Sequence, residues 1–161
     1  MNVFVLDLSP TTAAIEQCDK HIVKMPLESA QMLCAALHRH KADAPYKPTH
    51  KNHPCTLWAG DSRSNFLWLG YHGLALCLEY SRRYHRRHKC QDIIEFCLSA
   101  SDSIPENNGR TTFPLCMPDK YKTDDPVESY RAYYLGEKSL FAQWNHSNPP
   151  QWWPTLEKSN A

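Results

Sequence analysis

The stretch CDKHIVKMPLES, residues 18–29, carries an imidazole, an amine and a carboxylate at His21, Lys24 and Glu28. Set three and four residues apart, these side chains fall along one face of an α-helix. Such a stripe can move protons or steady a developing positive charge. It can equally be the wet side of an amphipathic helix, where a Lys24–Glu28 pair contributes only about 0.2–0.5 kcal/mol. Pro26 stands among the three, removing a backbone donor and crowding the turn before it, so a helix is expected to kink or restart there. A restart leaves unpaired N–H groups near Glu28, and a carboxylate is favoured beside them.

Other candidate chemistry is thinner. His50 and His53, followed by Cys55, give an HxxH loop, but no second ligand pair has zinc-type spacing. The expectation is hydrogen-bonding loop histidines, with no metal and no cofactor. No GxxxxGK[ST], GxGxxG or GxSxG occurs, which removes the common nucleotide-binding loops and the hydrolase elbow. Nothing marks one cysteine as an activated nucleophile. Residues 82–89, RRYHRRHK, hold five Lys/Arg and two His. That run can meet phosphates, and it is also what a solvated helix C-terminus looks like.

The elements that would carry these groups read as helical. NVFVLDL, residues 2–8, is a short apolar segment expected to be extended and buried. Ser9 or Thr11 can cap a helix starting at Pro10 and running toward Met25, with Ile15, Cys18, Ile22 and Met25 as its apolar stripe. After Pro26 an apolar face continues to about His40. Residues 41–60, rich in proline, read as a long loop. Asp61 or Ser62 can cap a central buried helix over 62–88, in which Gly70 and Gly73 imply a close neighbour. A shorter helix is expected over 91–100, a long connection over 101–126, and a last helix over 126–144. Its aromatic stripe is Tyr130, Tyr133, Tyr134, Phe141 and Trp144, and the tail NPPQWWP is rigid and aromatic.

The whole chain, at 161 residues, is one domain's length without repeat or linker. No run approaches the roughly 20 apolar residues of a membrane span, and no basic-then-apolar leader opens the chain. Seven cysteines, with no CxxC pair, favour reduced thiols and a cytoplasmic setting. A net charge of +1 singles out no partner. The expected fold class is all-α, a single domain over 1–161 of about four helices with an extended N-terminal segment and long loops.

The order of these features resembles the pyrimidine-dimer DNA glycosylases of the phage endonuclease V type. VFVLDLSP (3–10) is similar to the N-terminal segment of the family's bacterial members. Asp19-Lys20-His21, with Glu28 nine residues after Asp19, is similar to its Asp-x-His stretch and catalytic glutamate. KNHP (51–54) matches its Asn-His-Pro loop, and a long helix ending in a basic run follows. MPDKYKTDDPVESY, Glu137-Lys138 and an aromatic C-terminus complete the likeness, which spans most of the chain in short collinear pieces. At two positions where the phage enzyme has arginines that read distorted DNA, this chain has Leu27 and Gln31.

The resemblance implies a DNA glycosylase and abasic-site lyase acting on damaged or modified pyrimidines in double-stranded DNA. The nucleophile would be the N-terminal amine, on Met1 or, after its removal, on Asn2. An α-amine titrates near 7.7–8.0 against about 10.4 for lysine, so more of it is neutral at pH 7. Glu28 would be the acid/base and His21 an orienting neighbour, with Lys20 or Lys24 as substitute amines if the terminus is blocked. DNA contacts would come from Lys24, Gln31, His53, Arg82, Arg83, Arg86, Arg87 and Lys138. A monomer in the cytoplasm, of the bacterial host if the protein is phage-encoded, is expected. Two other functions share the pattern: a phage DNA-binding or anti-defence protein that does not cut, and an enzyme acting on a modified base or free nucleotide.

Overall fold

The computed structural model describes residues 1–154, and within them the fold is all helical with no strand. The helices are α1 (Pro10–Ile15), α2 (Asp19–Arg39), α3 (Pro54–Asp61), α4 (Arg63–Tyr84), α5 (Gln91–Ser99) and α6 (Pro126–Tyr133). Helix α4 is the hub on which α1, α2, α3 and α5 all pack. Its apolar run buries Phe66, Leu69, Leu76 and Cys77 completely, while Tyr71 and Leu78 remain exposed on its outer side. Ser62 caps it, accepting the Asn65 N–H at 3.1 Å. Gly70 and Gly73 allow the close approach expected of them. A Cβ on Gly70 would sit 2.4 Å from Leu98 of α5, and one on Gly73 would sit 3.1 Å from both Ile94 and Ser29. No helix among the described residues is long and apolar enough to cross a membrane.

The first helical region breaks earlier than its sequence suggests. Helix α1 ends at Ile15 and α2 begins at Asp19, then runs unbroken through Pro26 to Arg39. The break is stabilised by groups far away in the chain. The buried Arg83 guanidinium donates to the carbonyls of Ile15 and Gln17, each at 2.8 Å. The Tyr134 hydroxyl accepts the Cys18 N–H at 3.1 Å, and the Asp19 N–H donates to the Gln143 carbonyl at 2.8 Å. Ile15 is consequently half exposed instead of joining the core stripe. At Pro26 the missing helix bond costs about 3 kcal/mol. Burial of Ile22, Met25, Ala30 and Leu33 on either side of it offsets that cost.

Two further differences bear on the site. The expected loop 41–60 contains α3, whose N-cap is His53 and whose first residue is Pro54. The last helix is shorter than expected. Helix α6 ends at Tyr133 and passes into one wide π-helical turn, Tyr134–Lys138. A Cβ on Gly136 would lie 2.4 Å from the Tyr121 ring, so any other residue there would require Tyr121 to shift. Of the aromatic stripe, Tyr130 and Tyr134 are fully buried. The N-terminal segment is buried as expected, with Asn2 to Leu6 all 9% exposed or less.

Candidate active site

Glu28 lies beneath the start of the chain. Its Oε1 accepts the Asn2 N–H at 2.9 Å and stands 3.6 Å from the Met1 α-amine. Its Oε2 is 3.6 Å from Lys24 Nζ, one helical turn away. The carboxylate is 7% exposed, whereas the Lys24 side chain is largely in solvent. A buried carboxylate needs partners for both oxygens, and the chain's first two backbone nitrogens supply one side. The Asn2 carboxamide fixes this start of the chain from both ends. Its Nδ2 donates to the Cys116 carbonyl at 2.8 Å, and its Oδ1 accepts the N–H groups of Val3 and Phe4 at 2.7 and 3.3 Å.

Phe4 has φ +59°, a left-handed conformation that costs a non-glycine residue energy and that surrounding structure must hold. Its ring is held on several sides. It stacks on His21 with centroids 4.4 Å apart and meets Tyr134 edge-on at 5.5 Å. Lys138 Nζ sits 5.6 Å over the Phe4 ring and 4.7 Å over Tyr133. Met1, Glu28, His21, Lys24, Tyr133 and Lys138 thereby line one small open hollow of about 150 Å³. Burial first, then the charges of Lys138, Lys24 and Lys20, push the His21 pKa down to about 3. His21 is therefore a neutral imidazole at neutral pH. Its Nδ1 lies 2.6 Å from the Tyr134 hydroxyl, which burial holds in its protonated form. That ring is anchored rather than free to turn.

Of the expected site residues, Met1, Asn2, His21, Lys24, Glu28 and Lys138 converge on this hollow. His53 stands close by. As N-cap of α3 its Nδ1 accepts the Cys55 N–H at 3.1 Å. Burial, followed by the α-amine and His50, lowers its pKa from the usual value. Gln31 is half-buried on α2, one turn beyond Glu28. The basic run divides. Arg86 and Arg87 share a second hollow with Lys24 and Leu27, so they adjoin the site, although Arg87 is paired with Asp92 and Glu95. Arg82 pairs with Glu79 and faces a different hollow, between α1 and α4.

Arg83 is not a phosphate contact. It is 2% exposed, and besides its two carbonyls it binds Asp19 at 3.1 Å and Glu79 at 2.8 Å. Every polar edge of its guanidinium is committed to the interior, which is what burial of an unavoidable charge requires. Asp19 is likewise structural, accepting also the Asn145 N–H at 2.7 Å.

Phe4, Tyr133 and Tyr134 were not among the residues expected here, nor was the bracing role of the Asn2 side chain. The DPVESYRAYYLGEK pattern marks the tyrosines only as the aromatic stripe of a helix. No local signal announces a left-handed Phe4.

Compared with known proteins, no curated protein and no solved structure matches the chain. A family model does: that of the pyrimidine dimer DNA glycosylases matches residues 1–92, a stretch containing Met1, Asn2, His21, Lys24, Glu28 and His53. Since that match covers more than half of the chain and the hollow gathers all of these residues but His53 around its first nitrogen, the protein belongs to the pyrimidine dimer DNA glycosylase family.

Proposed function

We propose that the protein is a DNA glycosylase with abasic-site lyase activity that works through an imine on its N-terminal amine. The observation that carries this reading is the meeting of the chain's first nitrogen with Glu28. With Met1 retained, the amine stands 3.6 Å from Oε1. If Met1 is removed, the amine becomes the Asn2 nitrogen, which already stands 2.9 Å from the same oxygen. Either processing state leaves an amine beside the carboxylate.

The amine lone pair attacks the sugar carbon C1′ of the target nucleotide. The C1′–N bond to the base breaks, and the base leaves with that pair and takes up a proton. The amine gives up a proton, the C1′–O4′ bond breaks with O4′ taking up a proton, and the sugar ring opens to a protonated imine. Loss of a C2′ proton then expels the 3′ phosphate by breaking the C3′–O bond. Glu28 is suited to steady the positive charge at C1′ and to relay these protons. His21, neutral and held by Tyr134, orients the Phe4 platform and carries no charge through the cycle. Lys138 and Lys24 flank the hollow, with Arg86 and Arg87 beyond, as phosphate contacts. Gln31 and His53 are second-rank DNA contacts close to the same opening. Extruding the nucleotide costs a few kcal/mol, least at a damaged pair.

Borohydride trapping tests the reading. The protein is mixed with an abasic-site duplex and with a UV-irradiated duplex, reduced, and any adduct mapped by mass spectrometry. The expected adduct is on the N-terminal residue and disappears when the terminus is acetylated. Glu28→Gln, which keeps the acceptor for the Asn2 N–H but not the charge, is expected to slow turnover by about 10²–10⁴-fold with duplex binding retained. An adduct on Lys20 or Lys24 would move the nucleophile. No adduct on either duplex would leave a DNA-binding protein without this chemistry.

A further inference from the structure

Behind the N-terminal residue lies a cluster whose two cysteines the reaction above does not use. His53, Cys55 and Cys116 each offer a ligand atom, and the three atoms lie within 4.8 Å of one another. The two sulfurs are 3.5 Å apart. A tetrahedral zinc ion with bonds of about 2.3 Å to sulfur spaces two thiolates by about 3.8 Å, so the sulfur pair needs almost no adjustment. His53 and Cys55 come from the start of α3, and Cys116 comes from the strap that precedes α6, 61 residues further along. That separation is why HxxH followed by a single cysteine looked incomplete along the chain.

We propose that His53, Cys55 and Cys116 form a binding site for a thiophilic divalent cation such as Zn²⁺, with a fourth position left to solvent. One imidazole and two thiolates are the donor set that borderline-soft ions prefer over Mg²⁺ or Ca²⁺. His53 and Cys116 are half-exposed, which gives an ion a way in, while Cys55 is fully buried. Binding has one local consequence. His53 Nδ1 now accepts the Cys55 N–H, and either ring nitrogen can ligate only if that cap bond is given up. The ion replaces a cap hydrogen bond with a cross-link between α3 and the strap. Both parts hold the chain's start, the strap through the Cys116 carbonyl on Asn2 and α3 through the Thr56 hydroxyl on the Met1 sulfur. An occupied site would brace the N-terminal residue from behind. The proposal stands independently of the glycosylase chemistry, and its test reads no activity.

Fully reduced protein is titrated with Co²⁺ under anaerobic conditions. The expected result is one equivalent bound, with thiolate charge-transfer absorption in the near ultraviolet and the strong visible bands of a tetrahedral ion. Zn²⁺ should displace it and raise Tm, because an ion that binds only the folded state stabilises that state. Cys55→Ser and Cys116→Ser should lose the charge-transfer band, and His53→Gln should weaken affinity by roughly tenfold or more. Cys34→Ser alters the other close thiol pair, Cys34 and Cys97 at 3.7 Å, and should keep the band. Absence of a thiolate band in the reduced parent overturns the proposal whatever the variants do. So does a band that survives both Cys55→Ser and Cys116→Ser, or one that Cys34→Ser abolishes.

Discussion

At the scale of single residues, the arrangement separates charge from position. Glu28 is buried against the chain's first nitrogens and carries the charge. His21, three residues before Lys24 on the same helix, is kept neutral by burial and by three lysines, with its pKa near 3. It follows that His21 does not titrate where the enzyme would work. In a His21→Gln variant the single-turnover rate should fall as the Phe4 platform loosens, yet the inflections of the pH–rate profile between pH 5 and 8 should stay in place. A lost inflection in that window would make His21 a proton carrier instead of a positioning residue. The i, i+3, i+7 spacing of His21, Lys24 and Glu28 was legible as one helix face, but it did not distinguish a reactive stripe from a wet one. What distinguishes them is the backbone of residues 1 to 4, where the Asn2 carboxamide and a left-handed Phe4 lead the amine over the carboxylate. Neither has a signature in local sequence.

Among the elements, Arg83 makes the strongest case. Its side chain is fully enclosed, and it joins α4 to the α1–α2 turn through Asp19 and two carbonyls while pairing with Glu79 on its own helix. Burial pushes the Glu79 carboxyl up, but the hydrogen bonds and charges of Arg82 and Arg83 outweigh it and hold the pKa below its usual value. Arg83→Met leaves Asp19 and Glu79 without their buried cation. It should cost about 3–5 kcal/mol of stability, read from the urea midpoint at an unchanged m-value. A cost under about 1 kcal/mol would show that water reaches those carboxylates and satisfies them. The same residue explains a misreading of the chain. In RRYHRRHK all the cations look alike, because a partner for Arg83 lies 64 residues earlier at Asp19. The α1–α2 break was displaced for the same reason, since the groups that satisfy it are Arg83, Tyr134 and Gln143. Local signals fared better where the stabilising group is itself local. Ser9 caps α1, Ser62 caps α4, and Gly70 and Gly73 mark the close approach of α5. Helix α3 was legible in principle from Pro54 following a capping His53, but its eight residues sit in a proline-rich stretch that reads as loop.

For the molecule as a whole, two buried neutral histidines set its response to acid. Burial lowers His72, held between the Pro10 carbonyl and Gln17, to about 4, and lowers His21 to about 3. Unfolded, each would take up a proton near pH 6.5. Above that pH neither affects stability. As pH falls below it the unfolded state binds more protons, so stability should decline by up to about 1.4 kcal/mol per pH unit for each histidine until its folded pKa is reached. Urea midpoints at pH 7 and pH 5 measure this, and a midpoint that does not fall would mean the rings are already charged in the fold. Electrostatics also sets the reach of DNA binding, because a net charge of +1 leaves it to local cations. Lys24, Lys138 and Arg86 flank the hollow and its neighbour, and Arg87 joins them only by leaving Asp92 and Glu95. Three or four phosphate contacts give a slope of log K against log salt of about −2.7 to −3.6 on duplex DNA. Arg86→Gln should make that slope shallower by about 0.9, while Arg82→Gln should leave it unchanged, since Arg82 stays with Glu79 on the far side of α4. If Arg82→Gln moves the slope and Arg86→Gln does not, the duplex lies across α1 and α4, away from Glu28, and the N-terminal amine cannot reach it.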